Sequence, residues 1–363
     1  CFLSGGVDSS LVSFYAKKAI GNDLKAYSIG FKEKKYDESV YACMVGKHLG
    51  IDVNVDTMES TPDFEEILKI VGCCDQPFAD SSLIPTYQVC RNARRYFPVA
   101  LSGDGGDEVF AGYSFRLQRL ASFLNINSFS DYMTRSILSL MNNLCFNGKY
   151  KDSIKRANEF LKLTLSDRYI FYHTRSLNYE KLVHPEVVKI EESHPYFIRM
   201  QVNKRKLGNN LNGMLTLCLQ NNLSNDMLVK VDRASMANSL EVRVPFLDHK
   251  LVEAAFKLST RLKQRGIIRV ESKYVLKKIA EKKLPYKTIF RDKMGFSIPI
   301  VQWMEIKMQS YLKEAFSDAD NSIFNYINKR NVSNLIDSSE MQSTSSDKWA
   351  LLCFLIWYKK LHA

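Results

Sequence analysis

Two glycine-rich segments of the chain carry acidic and hydroxyl side chains on a backbone that could approach a ligand closely. The first, residues 3–10, reads Leu-Ser-Gly-Gly-Val-Asp-Ser-Ser and joins an apolar strand to a helical pattern. Its glycines allow close approach of an anion, and the following helix N-terminus presents free N–H groups. No lysine follows the glycines, so this is not a Walker loop. We predict a phosphate-binding turn formed by Ser4, Gly5, Gly6, Asp8 and Ser9. The alternative is an ordinary tight turn with an aspartate in the first helical turn.

The second segment, residues 101–113, reads Leu-Ser-Gly-Asp-Gly-Gly-Asp-Glu-Val-Phe-Ala-Gly-Tyr and also follows a strand pattern. In a parallel sheet its turn opens at the same edge as the first segment. Two acidic clusters at one phosphate site would repel each other unless a cation lay between them. Asp8 and Asp107 are therefore predicted to bind Mg²⁺, which prefers oxygen ligands. An acidic capping turn is the alternative, but it does not explain the four glycines.

The elements that would position these segments alternate in type over the first hundred residues. Strands are predicted at residues 1–3, 25–31, 51–55 and 98–102, and helices at about 8–20, 38–49, 62–72 and 83–96. This alternation predicts an α/β fold with a parallel sheet and helices on both faces. We therefore expect a phosphate-binding α/β core over residues 1–115 and a mainly helical extension over residues 116–363.

Three patterns in the later part of the chain are informative. Apolar residues at helical spacing predict helices over residues 249–258 and 272–283, with Ser272 as the N-cap of the second. Residues 240–244 alternate apolar side chains with Glu241 and Arg243, which predicts an extended segment with an ion pair on one face. Residues 316–348 are rich in Ser, Asn and Asp and predict a mobile surface stretch.

Composition narrows the class of protein. The 363 residues are 45% hydrophobic and 25% charged, values typical of a folded globular protein. The net charge of +12 could attract nucleic acid, but the basic residues are scattered, so we expect a solvated basic surface and no nucleic-acid partner. No apolar run approaches the ~20 residues that span a bilayer. Eight cysteines without a Cys-x-x-Cys pair favour reduced thiols in a cytoplasmic protein.

The two segments resemble known motifs. Residues 4–10 are similar to the pyrophosphatase loop of the adenine-nucleotide α-hydrolase-like superfamily, whose members cleave ATP between the α and β phosphates. Residues 101–113 closely resemble the asparagine synthase family within that superfamily. Further segments match this family in order: residues 36–50, 232–248, 273–277 and 291–296. The resemblance spans essentially the whole chain.

The resemblance implies roles for individual residues. Backbone groups that hold the adenosine part of ATP in the family match Leu3, Ile29, Ser102 and Gly103. Asp104 matches the acidic residue linked to the aspartyl-adenylate step, and Lys273 matches the lysine that neutralises the phosphates as pyrophosphate leaves. Independently, a lysine at the start of a helix is poorly placed for the helix dipole, so we expect an anionic partner. The alternative is one more solvent-exposed lysine in a Lys-rich helix.

The implied reaction converts ATP, aspartate and ammonia to asparagine, AMP and pyrophosphate through β-aspartyl-AMP, with Mg²⁺ required. Full-length members take the ammonia from glutamine in an N-terminal glutaminase domain that begins with a catalytic cysteine. We expect that domain to be absent from this chain, because Cys1 lies two residues before the phosphate-binding turn. Free ammonia, not glutamine, is then the expected nitrogen donor. The sequence leaves the oligomeric state undecided, and a homodimer is one alternative.

Two departures from the family pattern leave alternatives open. Asp104 stands where some members have Glu, which is one methylene longer. Pro77 and Asp80 stand where one branch carries Thr and Arg, and that Arg would be a natural clamp for a substrate carboxylate. A related amide ligase acting on another acid is therefore one alternative. The second is an RNA-modifying enzyme that adenylates a tRNA base, which the first segment and the positive charge would also suit.

Overall fold

The structure, a computed structural model, describes residues 1–58, 61–113, 163–173, 179–188, 202, 205–208, 210–266, 270–291 and 298–362. Its strands are β1 (Lys25–Phe31), β2 (Asp52–Met58), β3 (Val99–Leu101) and β4 (Glu241–Arg243). β1 pairs in parallel with β2, and β3 pairs in parallel with β4. Residues 1–3 join the two pairs, because Phe2 N–H donates to Leu101 O and Leu3 N–H donates to Tyr27 O, both at 2.9 Å. The order across the sheet is β2, β1, residues 1–3, β3 and β4.

The chain is largely helical outside these strands. The α-helices in chain order are α1 (Val7–Ile20), α2 (Ser39–Leu49), α3 (Phe64–Gly72), α4 (Leu83–Ala93), α5 (Gly106–Phe110), α6 (Leu165–His173), α7 (Tyr179–Leu182), α8 (Pro185–Val188), α9 (Leu211–Leu217), α10 (Leu228–Met236), α11 (His249–Lys257), α12 (Thr260–Lys263), α13 (Tyr274–Ala280), α14 (Tyr286–Ile289), α15 (Ile300–Trp303), α16 (Gln309–Ser317), α17 (Lys329–Asp337) and α18 (Met341–Leu361). π-helical segments over Cys218–Met227 and Met304–Met308 continue α9 and α15. The predicted α/β class is confirmed.

The sheet edge that carries the glycine-rich segments is assembled from distant parts of the chain. Residues 1–3 contact β1 and β3, and β4 comes from the long signature that was predicted to be extended. Arg243 Nε donates to Glu241 Oε1 at 2.7 Å, so the ion pair expected on one face of this segment is present. The helical part of the chain thus supplies a strand that fixes the position of β3.

The main hydrophobic core lies between the sheet and the C-terminal helices. Buried side chains of β1, α3 and α4 pack with those of α18, where Trp349, Leu352 and Cys353 are buried. The prediction of a mobile surface stretch over residues 316–348 is wrong. Its Ser- and Asn-rich faces are solvated, but Val332 and Ile336 of α17 are buried in the same core. Polar composition had concealed the apolar stripe of an amphipathic helix.

Two further observations concern the described residues only. None of their helices is long and apolar enough to cross a membrane. The seven cysteines among them are free thiols, and Cys145 lies outside the described part of the chain.

Candidate functional site

The two glycine-rich segments meet at one edge of the sheet, as predicted. α1 begins soon after residues 1–3, and α5 begins soon after β3. A Cβ atom on Gly103 would lie 2.8 Å from the backbone nitrogen of Ser9, and one on Gly106 would lie 2.8 Å from Cγ of Asp8. Real side chains do not reach such distances, so the contact between the turns requires glycine at both positions.

The first turn is held by its own hydroxyl groups. Ser9 Oγ accepts from Ser4 N–H at 3.2 Å and lies 3.3 Å from Gly6 O, to which it can donate. Gly6 N–H donates to Ser4 Oγ at 3.3 Å. The hydroxyl groups of Ser4 and Ser9, two residues of the predicted phosphate-binding turn, therefore also hold the shape of that turn. The first N–H groups of α1 have no acceptor inside the helix, as at every helix N-terminus, and this favours an anion there.

Lys273 joins the two turns. Its side chain is only 7% exposed, and its Nζ contacts Asp8 Oδ2 and also Asp107 Oδ1, the latter at 2.7 Å. Burial alone would lower the pKa of Lys273, but the two carboxylates outweigh burial and raise that pKa above its ordinary value. The anionic partner expected for this lysine is thus a pair of aspartates. A Cβ atom on Gly112 would collide with both Asp107 and Lys273.

The backbone of Lys273 is also unusual. Its φ of +54° lies in the left-handed region, which costs a residue with a side chain roughly 1–2 kcal/mol. Lys273 immediately precedes α13, and no side chain caps that helix, so the prediction of Ser272 as N-cap is wrong. Strained backbone is frequent at functional sites because surrounding contacts must hold it. Here the contacts to Asp8 and Asp107 hold the side chain between the turns.

Asp104 belongs to the second turn but has different partners. Ser102 Oγ donates to Asp104 Oδ2 at 2.7 Å, and Ser102 N–H donates to Arg243 O at 2.9 Å. Desolvation raises the pKa of Asp104 in spite of the hydrogen bond from Ser102 and the charge of Lys230. The structure therefore brings Asp8, Asp107 and Lys273 into direct contact and places Asp104 beside Ser102.

The predicted adenosine-binding positions lie on the neighbouring strands. Leu3 and Ile29 are both buried, and Leu3 N–H is engaged by Tyr27 O within the sheet, so that group is not available to a ligand. Ser102 and Gly103 follow β3 directly. Leu3, Ser102 and Gly103 lie at or next to the carboxyl ends of strands, where open α/β sheets bind ligands, and Ile29 lies two residues before the end of β1.

Comparisons with known proteins agree with this geometry. A model of the asparagine synthase family matches residues 1–359. The chain belongs to the asparagine synthase family. It is similar to glutamine-hydrolyzing asparagine synthetase 1 of Bacillus subtilis, with 30% identity covering 98% of this chain and 55% of the relative. It is also similar to a putative asparagine synthetase of Mycobacterium bovis, with 28% identity covering 98% of this chain and 54% of the relative.

A third relative, a putative asparagine synthetase of Methanocaldococcus jannaschii, is 33% identical over 68% of this chain and 46% of the relative. The chain thus spans about half the length of the curated relatives that it matches.

Within this asparagine synthase fold, a buried lysine accompanies the departure at position 80. Lys230 Nζ donates to Asp80 Oδ2 at 2.8 Å and to Ser82 Oγ at 2.7 Å. Desolvation would raise the pKa of Asp80, but Lys230 and the hydrogen bonds from Ser82 lower it overall. The region where one branch of the family carries an arginine therefore still holds a cation, supplied by α10. Sequence reasoning did not identify Lys230, because nothing in its local pattern marks it.

Two charged residues of family motifs also belong to the site, although no role had been predicted for them. Arg291 Nη2 lies 2.5 Å from Glu38 Oε1, and both side chains are nearly buried. The guanidinium lies 4.7 Å from the centroid of the Tyr41 ring. Residues 292–296 of the same motif lie outside the described residues. The only feature of the sequence that could have pointed to these two residues is the presence of charged side chains in both motifs.

The second turn is supported from inside the protein. Tyr113 O–H donates to Glu108 Oε1 at 2.5 Å, and Gln264 Nε2 donates to Tyr113 O at 2.7 Å. Burial raises the pKa of Glu108 to about 7. Glu108 is almost fully buried and therefore holds α5 in place, whereas its neighbour Asp107 contacts Lys273.

The residues present fit a Mg²⁺ ion only together with a ligand. Asp8 and Asp107 offer carboxylate oxygens that both reach one cation, the Nζ of Lys273. No group of three or more His, Cys, Asp and Glu side chains among the described residues could hold a metal by itself. Mg²⁺ in nucleotide sites is commonly bound by one or two carboxylates, with phosphates and water completing the shell. The donor set matches that pattern.

Proposed function

We propose that the chain is the synthetase part of an asparagine synthase, an ATP-dependent ligase that makes an amide from a carboxylate and ammonia. In the first step an oxygen of the aspartate β-carboxylate attacks the α-phosphorus of ATP, and pyrophosphate leaves with the electrons of the broken P–O bond. In the second step ammonia attacks the acyl carbon of β-aspartyl-AMP. AMP then leaves, and the nitrogen loses a proton to give asparagine.

The observation that supports this proposal is the contact of two glycine-rich turns through Lys273. The N-terminus of α1 would bind phosphate, and Lys273 lies where its positive charge could stabilise the leaving pyrophosphate. Asp8 and Asp107 would hold Mg²⁺, which neutralises phosphate charge when it is bound. Leu3, Ile29, Ser102 and Gly103 would contact the adenosine part through their backbone. These assignments rest on family membership together with the position of each residue at the sheet edge.

Asp104 is proposed to act at the acyl-transfer step. Its raised pKa follows from desolvation, and its hydrogen bond from Ser102 fixes the carboxyl group next to the second turn. A buried carboxyl group close to the reacting acid could orient ammonia or accept its proton.

The curated relatives are named as glutamine-hydrolyzing enzymes, and this chain matches about half of each. We propose that it corresponds to the half that consumes ammonia, with the α/β core over residues 1–115 and the helical extension over residues 116–363. A glutaminase domain would be its partner in the intact protein.

Product analysis tests the proposal. The protein is incubated with ATP, Mg²⁺, aspartate and ammonium chloride, and AMP, pyrophosphate and asparagine are measured. We expect equal amounts of the three products, and D8A and D107A variants with rates at least ~100-fold lower because each lacks a metal ligand. Formation of ADP and phosphate would contradict the assignment.

The Asp80–Lys230 pair favours a second candidate, an amide ligase for another carboxylic acid, because the arginine clamp of one branch is absent. Production of AMP with a different acid and not with aspartate would select that candidate.

A further inference from the structure

A second cation lies beside the phosphate-binding turn, and its environment differs from that of Lys273. The Arg291 side chain is 11% exposed, and its Nη2 lies only 3.6 Å from the point that a Cβ atom on Gly6 would occupy. Arg291 follows α14, and Glu38, its ion-pair partner, immediately precedes α2. The guanidinium thus reaches the turn from a part of the chain more than two hundred residues away.

The guanidinium is held in place, but not all of its nitrogens have hydrogen-bond partners within the described residues. Nη2 is paired with Glu38, and the Tyr41 ring lies 4.7 Å from the guanidinium carbon. Nε and Nη1 are buried and have no hydrogen-bond partner within the described residues. Buried arginine donors normally find acceptors, because leaving them unsatisfied is costly. Nη2 is the guanidinium nitrogen within 4 Å of the Cβ position on Gly6, so an acceptor that binds there would meet this nitrogen first.

The geometry points to Arg291 as a binding residue for the pyrophosphate portion of the nucleotide, an assignment that rests on the proposed function. A planar guanidinium can donate two parallel hydrogen bonds to a phosphate group, which an ammonium group cannot do. Lys273 faces two carboxylates and so leaves their cluster with a net negative charge. A polyphosphate at this turn therefore needs Mg²⁺ for charge balance and also hydrogen-bond donors, and the Arg291 guanidinium lies beside the turn to donate them.

Glu38 is the positioning residue in this arrangement. Desolvation raises the pKa of Glu38, and the charge of Arg291 opposes that shift. The buried carboxylate orients the guanidinium through Nη2, the nitrogen that also lies nearest to Gly6. Tyr41 packs its backbone against Gly5, where a Cβ atom would lie 2.5 Å from the Tyr41 carbonyl carbon. Glu38, Tyr41 and Arg291 therefore form one wall of the turn.

Binding of inorganic pyrophosphate and of AMP to the complete chain in the presence of Mg²⁺ tests this assignment by calorimetry. We expect R291A to bind pyrophosphate at least ~10-fold more weakly and AMP with unchanged affinity, because Arg291 would contact the pyrophosphate portion and not the phosphate that AMP retains. R291K should recover only part of the affinity, because it restores the charge without the planar fork. The matched control is R91A, which breaks an Arg–Glu pair of similar length between Arg91 of α4 and Glu66 of α3, far along the chain from the turn. It should bind both ligands as the unaltered protein does.

Unchanged pyrophosphate affinity in R291A would overturn the assignment, and so would an equal loss for pyrophosphate and AMP, which indicates a structural role. If R291A does not fold, the comparison of R291K with E38Q replaces it, and equal pyrophosphate affinity of both with the unaltered protein rejects the assignment. The test does not need aspartate. A protein that fails to make asparagine but binds pyrophosphate through Arg291 would therefore refute the proposed reaction and retain this inference.

Discussion

Lys273 and Lys230 are two buried lysines near the second turn, and their surroundings differ in one decisive respect. Each side chain is 7% exposed. Lys230 lies within α10 and forms an ion pair with one carboxylate, that of Asp80, and its charge also acts on the buried carboxyl of Asp104, whose pKa desolvation raises. Lys273 lies before α13 on left-handed backbone and faces two carboxylates from two different turns.

If Lys273 acts on the nucleotide as we propose, this difference in charge distinguishes it from Lys230, whose pair with Asp80 would only stabilise the fold. A neutral pair with a hydroxyl neighbour meets the requirements of burial by itself. A cluster with two negative charges and one positive charge does not, and it favours the arrival of another cation. The excess of negative charge around Lys273, at the sheet edge that carries the two glycine-rich turns, is therefore understandable if Mg²⁺ and nucleotide bind there together.

The largest effect is expected for K273M. Its turnover should fall at least ~100-fold with a much smaller change in KM for ATP, because the charge of Lys273 matters most as negative charge develops on the leaving pyrophosphate. Initial rates of pyrophosphate release at several ATP concentrations measure both quantities. Circular dichroism should match that of the unaltered protein.

The K273M variant also tests the comparison of the Lys273 and Lys230 clusters. Excess Mg²⁺ should raise the thermal stability of K273M by replacing the missing cation between Asp8 and Asp107, and it should leave K230M unaffected. Equal stabilisation of both variants would show that the two lysine clusters do not differ as argued. Loss of ATP binding in parallel with turnover would instead identify Lys273 as a ground-state contact.

Local patterns in the sequence were sufficient for the turns and most of the elements around them. The strand–glycine–helix pattern at residues 3–10 and 101–113 predicted where they meet, because parallel strands share one carboxyl edge. The helix dipole argument predicted an anionic partner for Lys273 but could not show that the partners are Asp8 and Asp107. Their contact spans more than 150 residues and depends on packing.

The contacts of Lys230 with Asp80 and of Arg291 with Glu38 were not predictable for the same reason. Charge in a motif does not reveal which distant side chain will lie beside it. The prediction for the Ser- and Asn-rich segment around α17 was wrong for a different reason. It relied on the polar composition of the segment and not on the spacing of its apolar residues. Periodicity of the few apolar residues would have indicated the helix.

A smaller effect on activity, but a clear one on stability, is expected for K230M. Removing one partner of a buried ion pair strands the other charge and typically costs about 3–5 kcal/mol of unfolding free energy. Urea unfolding followed by tryptophan fluorescence measures it. The double variant K230M/D80N should be more stable than K230M, because no charge is then stranded. A double variant that is less stable would contradict the argument.

The difference in unfolding free energy between the unaltered protein and K230M should also depend on pH. The pKa of Asp80 is lower in the folded protein than in the unfolded chain, chiefly because Lys230 opposes the effect of desolvation. The stability that this shift contributes is present above the ordinary aspartate pKa of about 3.9 and is lost as the pH falls through the folded pKa. The gap between the unaltered protein and K230M should therefore narrow below about pH 4.

The smallest effect is expected for R243A, which sharpens the comparison by removing a pair that is not buried. Arg243 and Glu241 are paired at 2.7 Å on β4, as tightly as the buried pairs, but their side chains are 63% and 56% exposed. Water and salt screen exposed charges, and such pairs contribute about 0–1 kcal/mol. Arg243 O, which accepts from Ser102 N–H, is a backbone atom and is retained in the variant. Urea unfolding should therefore give a loss below about 1 kcal/mol that vanishes in high salt, and pyrophosphate release should be unchanged. A loss as large as that of K230M would show that pairing itself, and not burial, determines the cost of losing an ion pair in this protein.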